Sequence, residues 1–176
     1  MILRARFLCG VLILWAVLPG ASAGPTDELP EFRLKAAFLY NFLLFTEWPP
    51  EIGKTLAVCI QGRDPFGAES DALHGKAVHE RHIVVRRLRA DESPADCQAV
   101  FISASAIGQL ARVLDEIRTL PVLTVADSPN AAKHGVALNL AVKHGKVTFE
   151  ANLAAAKTAG LKISSKLLRL ATEVRQ

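Results

Sequence analysis

Three histidines lie close together in the segment LHGKAVHERH, at His74, His79 and His82. Imidazole is a common metal ligand, so a cluster of three raises the question of a metal centre. Their spacings of five and three residues do not bring all three to one face of a helix or a strand. Solvated histidines around a loop and an edge strand are therefore expected. Gly62 follows an apolar run, and GRDPFG then leads toward a short helix, a place where anions can bind. An ordinary strand-to-helix turn is the simpler expectation. Arg86, Arg87 and Arg89 form a small basic patch. No aromatic residues interleave with them to stack on bases, so a solvated strand edge is expected and nucleic acid is not. GxGxxG, GxxxxGK[ST], HExxH and GxSxG are all absent. No catalytic constellation and no cofactor site emerges, and no enzymatic activity is expected.

The cysteines carry more information. Cys9 falls in an N-terminal apolar segment, which leaves Cys59 and Cys97 as an even pair in the rest of the chain. In an oxidising compartment such a pair is a candidate disulfide. Bridging them would close a loop of about 38 residues, worth roughly 4 kcal/mol in the chain-entropy account. Two buried free thiols are the alternative.

Compartment is read from the first 23 residues. Arg4 and Arg6 precede the apolar run FLCGVLILWAVL, Pro19-Gly20 breaks it, and Ala21-Ser22-Ala23 supplies a small-x-small cleavage site. The apolar run is far short of the ~20 residues that span a bilayer. The expectation is an export signal at 1–23 with cleavage after Ala23, a polar leader at 24–31, and one domain over 32–176. Cleavage would remove Arg4 and Arg6 and no acid, taking the formal charge from +4 to +2. So small a charge does not argue for a polyanionic partner.

These residues need elements to position them. FRLKAAFLYNFLLFTE predicts a helix over about 32–47, stopped by Trp48-Pro49-Pro50. It is apolar nearly all round, and such a helix must be covered on most sides. TLAVCIQG, RHIVVRRL, CQAVFISA and PVLTVAD read as strands, the first and third buried on both faces and the second nearer an edge. SAIGQLARVLDEIRT reads as an amphipathic helix capped by Ser105, with Ile107, Leu110, Val113, Leu114 and Ile117 on one side. VALNLAVKHGKVTFEAN alternates about His144-Gly145 as a β-hairpin. LAAAKTAG is a helix closed by Gly160, and Ser164 or Ser165 caps a last helix striped by Leu167, Leu168, Leu170, Ala171 and Val174. The alternation predicts a single-domain α/β fold: a three-layer sandwich with a mostly parallel sheet, a C-terminal antiparallel hairpin and flanking helices.

The segments LKAAFLYNFLLFTEWP, VCIQGRDPFG, CQAVFISAS, PVLTVAD and VTFEANLAAAKTAGLKISSKLLRLA together resemble the YfiR family, from about Leu34 to Val174. The resemblance implies a periplasmic, non-catalytic α/β protein, often a homodimer. It also implies a repressor that binds the periplasmic part of an inner-membrane diguanylate cyclase and keeps cyclic di-GMP low. An outer-membrane lipoprotein that sequesters the repressor is a second implied partner. Cys59 and Cys97 match one cysteine pair of the family, whose members respond to redox conditions. A second pair nearer the C-terminus has no counterpart here. Partner contact in the family falls at the end of the last strand and on the following helix. The matching residues are Phe149, Glu150 and Asn152, with capping of that helix the alternative role for Asn152.

The first helix adds a further expectation. Leu34, Phe38, Leu39, Phe42 and Phe45 should lie on the sheet, while Tyr40, Leu43 and Leu44 point toward another helix, a partner or a second subunit. A competing function is a periplasmic small-molecule receptor. Its pocket would lie near Gly62, Ser103 and Asp127, at the carboxyl ends of the strands, where open α/β sheets bind ligands.

Overall fold

The protein is described by a computed structural model covering residues 28–176. The expected export signal at 1–23 lies outside the described residues, as does the first half of the leader, 24–27.

The chain begins with α1 (Glu28–Leu44), followed by the two-residue strand β1 (Thr46–Glu47). Next come β2 (Thr55–Gln61), α2 (Ala68–Asp71), β3 (Ala77–Val78), β4 (Arg81–Leu88) and β5 (Ala99–Ile102). A 3-10 turn at Ile107–Gln109 leads into α3 (Leu110–Ile117), and β6 (Leu123–Ala126) follows. A 3-10 turn at Ala131–His134 precedes the hairpin of β7 (Leu138–Lys143) and β8 (Lys146–Asn152). The chain closes with α4 (Leu153–Thr158), β9 (Lys162–Ile163), α5 (Ser165–Leu168) and β10 (Glu173–Arg175).

Eight strands form one sheet in the order β10-β8-β7-β6-β5-β2-β4-β3. The pairs from β7 through β6, β5 and β2 to β4 are parallel, while β7–β8 and β3–β4 are antiparallel. Both faces are covered, which is why TLAVCIQ is a continuous apolar run rather than an alternating one. Leu56, Val58 and Ile60 enter the core beneath α1, whereas Cys59 enters a second core beneath α3. The expected three-layer sandwich is thus the observed fold.

α1 solves its all-round apolarity by burial. Ala36, Leu39, Phe42 and Leu43 are buried, Phe32, Phe38, Tyr40, Leu44 and Phe45 are half-buried, and Arg33, Leu34, Ala37 and Asn41 form a narrow exposed stripe. Among the described residues no helix is long and apolar enough to cross a membrane. Leu34 was expected on the sheet but is 45% exposed, one turn before Phe38 on the outer side of the helix. The helix also ends earlier than its pattern predicts. The Thr46 hydroxyl donates to the Phe42 carbonyl at 2.7 Å, and Thr46 and Glu47 turn to pair with Ile163 and Lys162. That local bond and the tertiary strand pairing outweigh the apolar continuity of the sequence.

Three further expectations need correction. Ser105 does not cap α3: its hydroxyl accepts from the Arg63 N–H at 2.7 Å and bonds the Ser103 hydroxyl at 2.9 Å, while a 3-10 turn starts the helix. The last helix is four residues long, so its predicted stripe is broken, with Leu167 buried and Leu170 69% exposed. Val174 belongs instead to β10, which pairs in parallel with β8, so the hairpin is not the sheet edge.

Candidate partner-binding surface

β8 carries the residues expected to meet a partner, and strand alternation divides them. Phe149 points into the core beneath α1, fully buried, with its ring 5.0 Å from Phe42 and 6.0 Å from Phe38. Leu43 on α1 is likewise fully buried. Neither can touch a partner in the folded protein, because the apolar face of α1 needs both to complete its packing. Asn152 takes the bland role: its Oδ1 accepts from the Ala155 N–H at 3.0 Å, capping α4, and its Nδ2 donates to the Ala132 carbonyl at 2.8 Å. Tyr40 lies toward the far edge of the sheet, where its hydroxyl donates to the Ala77 carbonyl at 2.8 Å beside Lys76. Leu44 is half-buried, and its carbonyl accepts from the His79 ring at 2.9 Å. The structure therefore does not bring these six residues together on one surface.

Glu150 remains. It faces away from Phe149, on the α3 side, where the Ala131–His134 turn packs near β8. Its side chain is partly accessible and its carboxylate meets Lys143 Nζ at 3.4 Å. Glu173 of β10 stands beside it in register and is paired with Arg175. Thr148 and Ala141, also half-buried, extend the same open strip of sheet. On the α1 side of these strands, Val142 is 46% exposed beside Val147, and Val174 is 38% exposed beside Ala151. The β7–β8–β10 end of the sheet thus shows paired charges on one face and apolar side chains on the other.

The remaining chemistry-bearing residues have structural work. Cys59 and Cys97 form a disulfide with Cα atoms 6.1 Å apart, both buried in the core beneath α3. His74 accepts from the Val85 N–H and His82 contacts Thr55, so each histidine is engaged separately. Among the described residues no group of three His, Cys, Asp or Glu is placed to hold a metal ion. Arg87 is pinned by Asp64 at 2.8 Å and Asp71 at 2.6 Å, and Arg89 by Glu92 at 2.9 Å, so most of the basic patch is neutralised locally.

The three residues expected to line a receptor pocket do not converge: an open depression at the carboxyl ends of β2 and β4 is lined by Gly62 and Ser105 with Arg63, Arg87, Leu88, Arg89 and Ala90, and by neither Ser103 nor Asp127. A Cβ added at Gly62 would lie 2.6 Å from the hydroxyls of both Ser103 and Ser105. Asp127 faces elsewhere, to a pair that the sequence did not announce. Lys35 Nζ lies 2.8 Å from Asp127 Oδ2 and 2.6 Å from Glu31 Oε1, with the lysine and Asp127 both nearly inaccessible. Burial alone would lower the lysine pKa, but the hydrogen bonds it donates to Asp127 and Glu31, and their charge attraction, raise it above its ordinary value. The available signal was a lone cation inside the apolar run LKAAFLY.

These features define an α/β sandwich with a buried disulfide and an open strand face at its β7–β8–β10 end. The chain belongs to the YfiR/HmsC-like family, whose model matches residues 32–172. Membership implies a periplasmic regulator of cyclic di-GMP signalling, from a regulatory, non-catalytic family. A solved structure of a conserved domain protein from Vibrio cholerae O1 biovar El Tor strain N16961 is similar in fold, with a TM-score of 0.50 at 12% identity. The match covers 82% of this chain and 60% of that one, so this chain spans about three-fifths of that protein's length. No curated protein matches the chain.

Proposed function

We propose that this protein is a periplasmic repressor that binds the periplasmic part of an inner-membrane diguanylate cyclase and performs no chemistry itself. The observation that carries this reading is the family match over residues 32–172. The mature protein starts at Gly24 in this reading, and N-terminal sequencing of the exported chain tests that start. Deleting the gene should raise cyclic di-GMP and promote surface attachment. An unchanged nucleotide level in the deletion strain would overturn the cyclase as partner.

The β7–β8–β10 end of the sheet is the proposed contact surface, with Glu150 at its centre. Glu150→Lys should raise cyclic di-GMP by weakening repression, since reversing a charge at an interface can cost several kcal/mol. Glu150 also serves Lys143, so the variant must be separated from simple destabilisation. The exchange Lys143→Glu with Glu150→Lys restores the internal pair while reversing the charges shown to a partner. A stable but non-repressing exchange variant supports the surface; full repression by that variant removes Glu150 from it and leaves the function standing.

A further inference from the structure

A pocket of about 370 Å³ opens on the sheet face opposite α1, between the second half of α3, the start of β6, the turn at Gly135 and α4. It exists because its walls are small. α4 presents Ala154 and Ala155, and its C-cap Ala159, toward α3, and Gly135 contributes no side chain. A Cβ at Gly135 would come 3.1 Å from Leu114 Cδ1, so even a methyl group would crowd this wall. The floor is apolar, built from Leu114, Ile117 and Val122.

The polar groups at the pocket are mostly donors. Asn152 and Thr158 are satisfied within the protein. The buried Thr124 hydroxyl accepts from the Ala137 N–H and keeps its own proton to donate. Arg118 gives one N–H to Asp115 at 2.5 Å, an exposed pair that costs little to share, and among the described residues its other donors meet no partner. The exposed His134 stands across the rim. Asp115 is the carboxylate on the lining and is engaged by Arg118, while Lys157 turns away from this pocket, toward Leu161 and Leu168. The carbonyl pole of α3 adds about half a negative charge at the rim, so an anion would be held by these directed donors rather than by net charge.

We propose that this pocket binds a small organic anion, a monocarboxylate on an aromatic or branched apolar body. The carboxylate would meet Arg118, His134 and the Thr124 hydroxyl, with the body seated on Leu114, Ile117 and Val122. The volume lies at the small end of ligand pockets and suits a single ring with a short side chain. The site is separate from the crevice at Gly62 and does not depend on the cyclase reading. Phenylacetate and its neutral counterpart phenylacetamide are suitable probes for titration calorimetry on the full mature chain. Phenylacetate should bind saturably, Ala159→Leu should abolish binding by filling the pocket, and Arg118→Gln should weaken phenylacetate by roughly tenfold while sparing phenylacetamide. Arg118 is exposed, so that variant keeps its fold, and thermal melts of both variants verify it. No saturable binding up to about 10 mM, or binding indifferent to both substitutions, would overturn the proposal.

Discussion

The two faces of the sheet are stabilised differently. Among the described residues the core beneath α1 holds 24 buried side chains and the core beneath α3 holds 13. The larger is threaded by aromatic contacts, Phe38–Phe149–Phe42 at one end and Phe32–Phe66–Phe101 at the other. The smaller contains no aromatic ring; its members are aliphatic, apart from Cys59 and Cys97. A large core gains its stability from area and close packing. A small one gains from a covalent link that restricts the unfolded chain. The difference places the disulfide where packing is thinnest, and it leaves the pocket on the thin side as well.

That contrast can be broken at its strongest point first. Phe149→Ala removes a fully buried ring that touches two others and should cost about 3–5 kcal/mol. Urea unfolding measures it, and a loss below about 1 kcal/mol would mean that Phe149 is a surface residue after all. Replacing both Cys59 and Cys97 by Ser should cost somewhat less, about 4 kcal/mol at most from loop entropy. Because both sulfurs are buried, the native protein should also show no free thiol after brief mild reduction, and two thiols once unfolded. Rapid thiol release from the folded protein would place the bridge at an accessible site and undo the contrast.

How far the sequence discloses these regions depends on the range of the forces involved. Periodicity and turn residues are local, so the strands β2, β4, β5 and β6 and the hairpin at His144-Gly145 were legible, the latter because both turn residues adopt positive φ. β1, β9 and β10 are short and exist only through their partners, so no local pattern marks them. The last apolar stripe misled for the same reason: Leu170 and Val174 look helical in spacing, but strand pairing with β8 claims the second. At the candidate surface, family resemblance pointed to the right strand without distinguishing its faces. Alternation would have set Phe149 apart from Glu150, and the apolar face of α1 called for a partner such as Phe149.

The smallest of these effects concerns how the N-terminal half of α1 is held, where Lys35 lies over the Phe32 ring. Lys35 is a buried cation shared by Asp127 and Glu31, so Lys35→Met removes the charge and keeps the stem. Asp127 is then left buried and unpaired, which should cost about 3 kcal/mol. The double change Lys35→Met with Asp127→Leu should recover most of the loss, since apolar replacement of a whole buried pair is often neutral. The pair also gives a pH signature. The folded-state pKa of Lys35 is raised, so its contribution is complete below the unfolded value and fades as pH climbs through the folded one. The wild type should therefore lose stability relative to the double variant above about pH 10.4, and not at neutral pH. Denaturant midpoints of the two proteins across that alkaline range decide the matter. A constant difference between them would show that α1 is anchored by packing alone, and that the two faces differ only in the amount of apolar surface they bury.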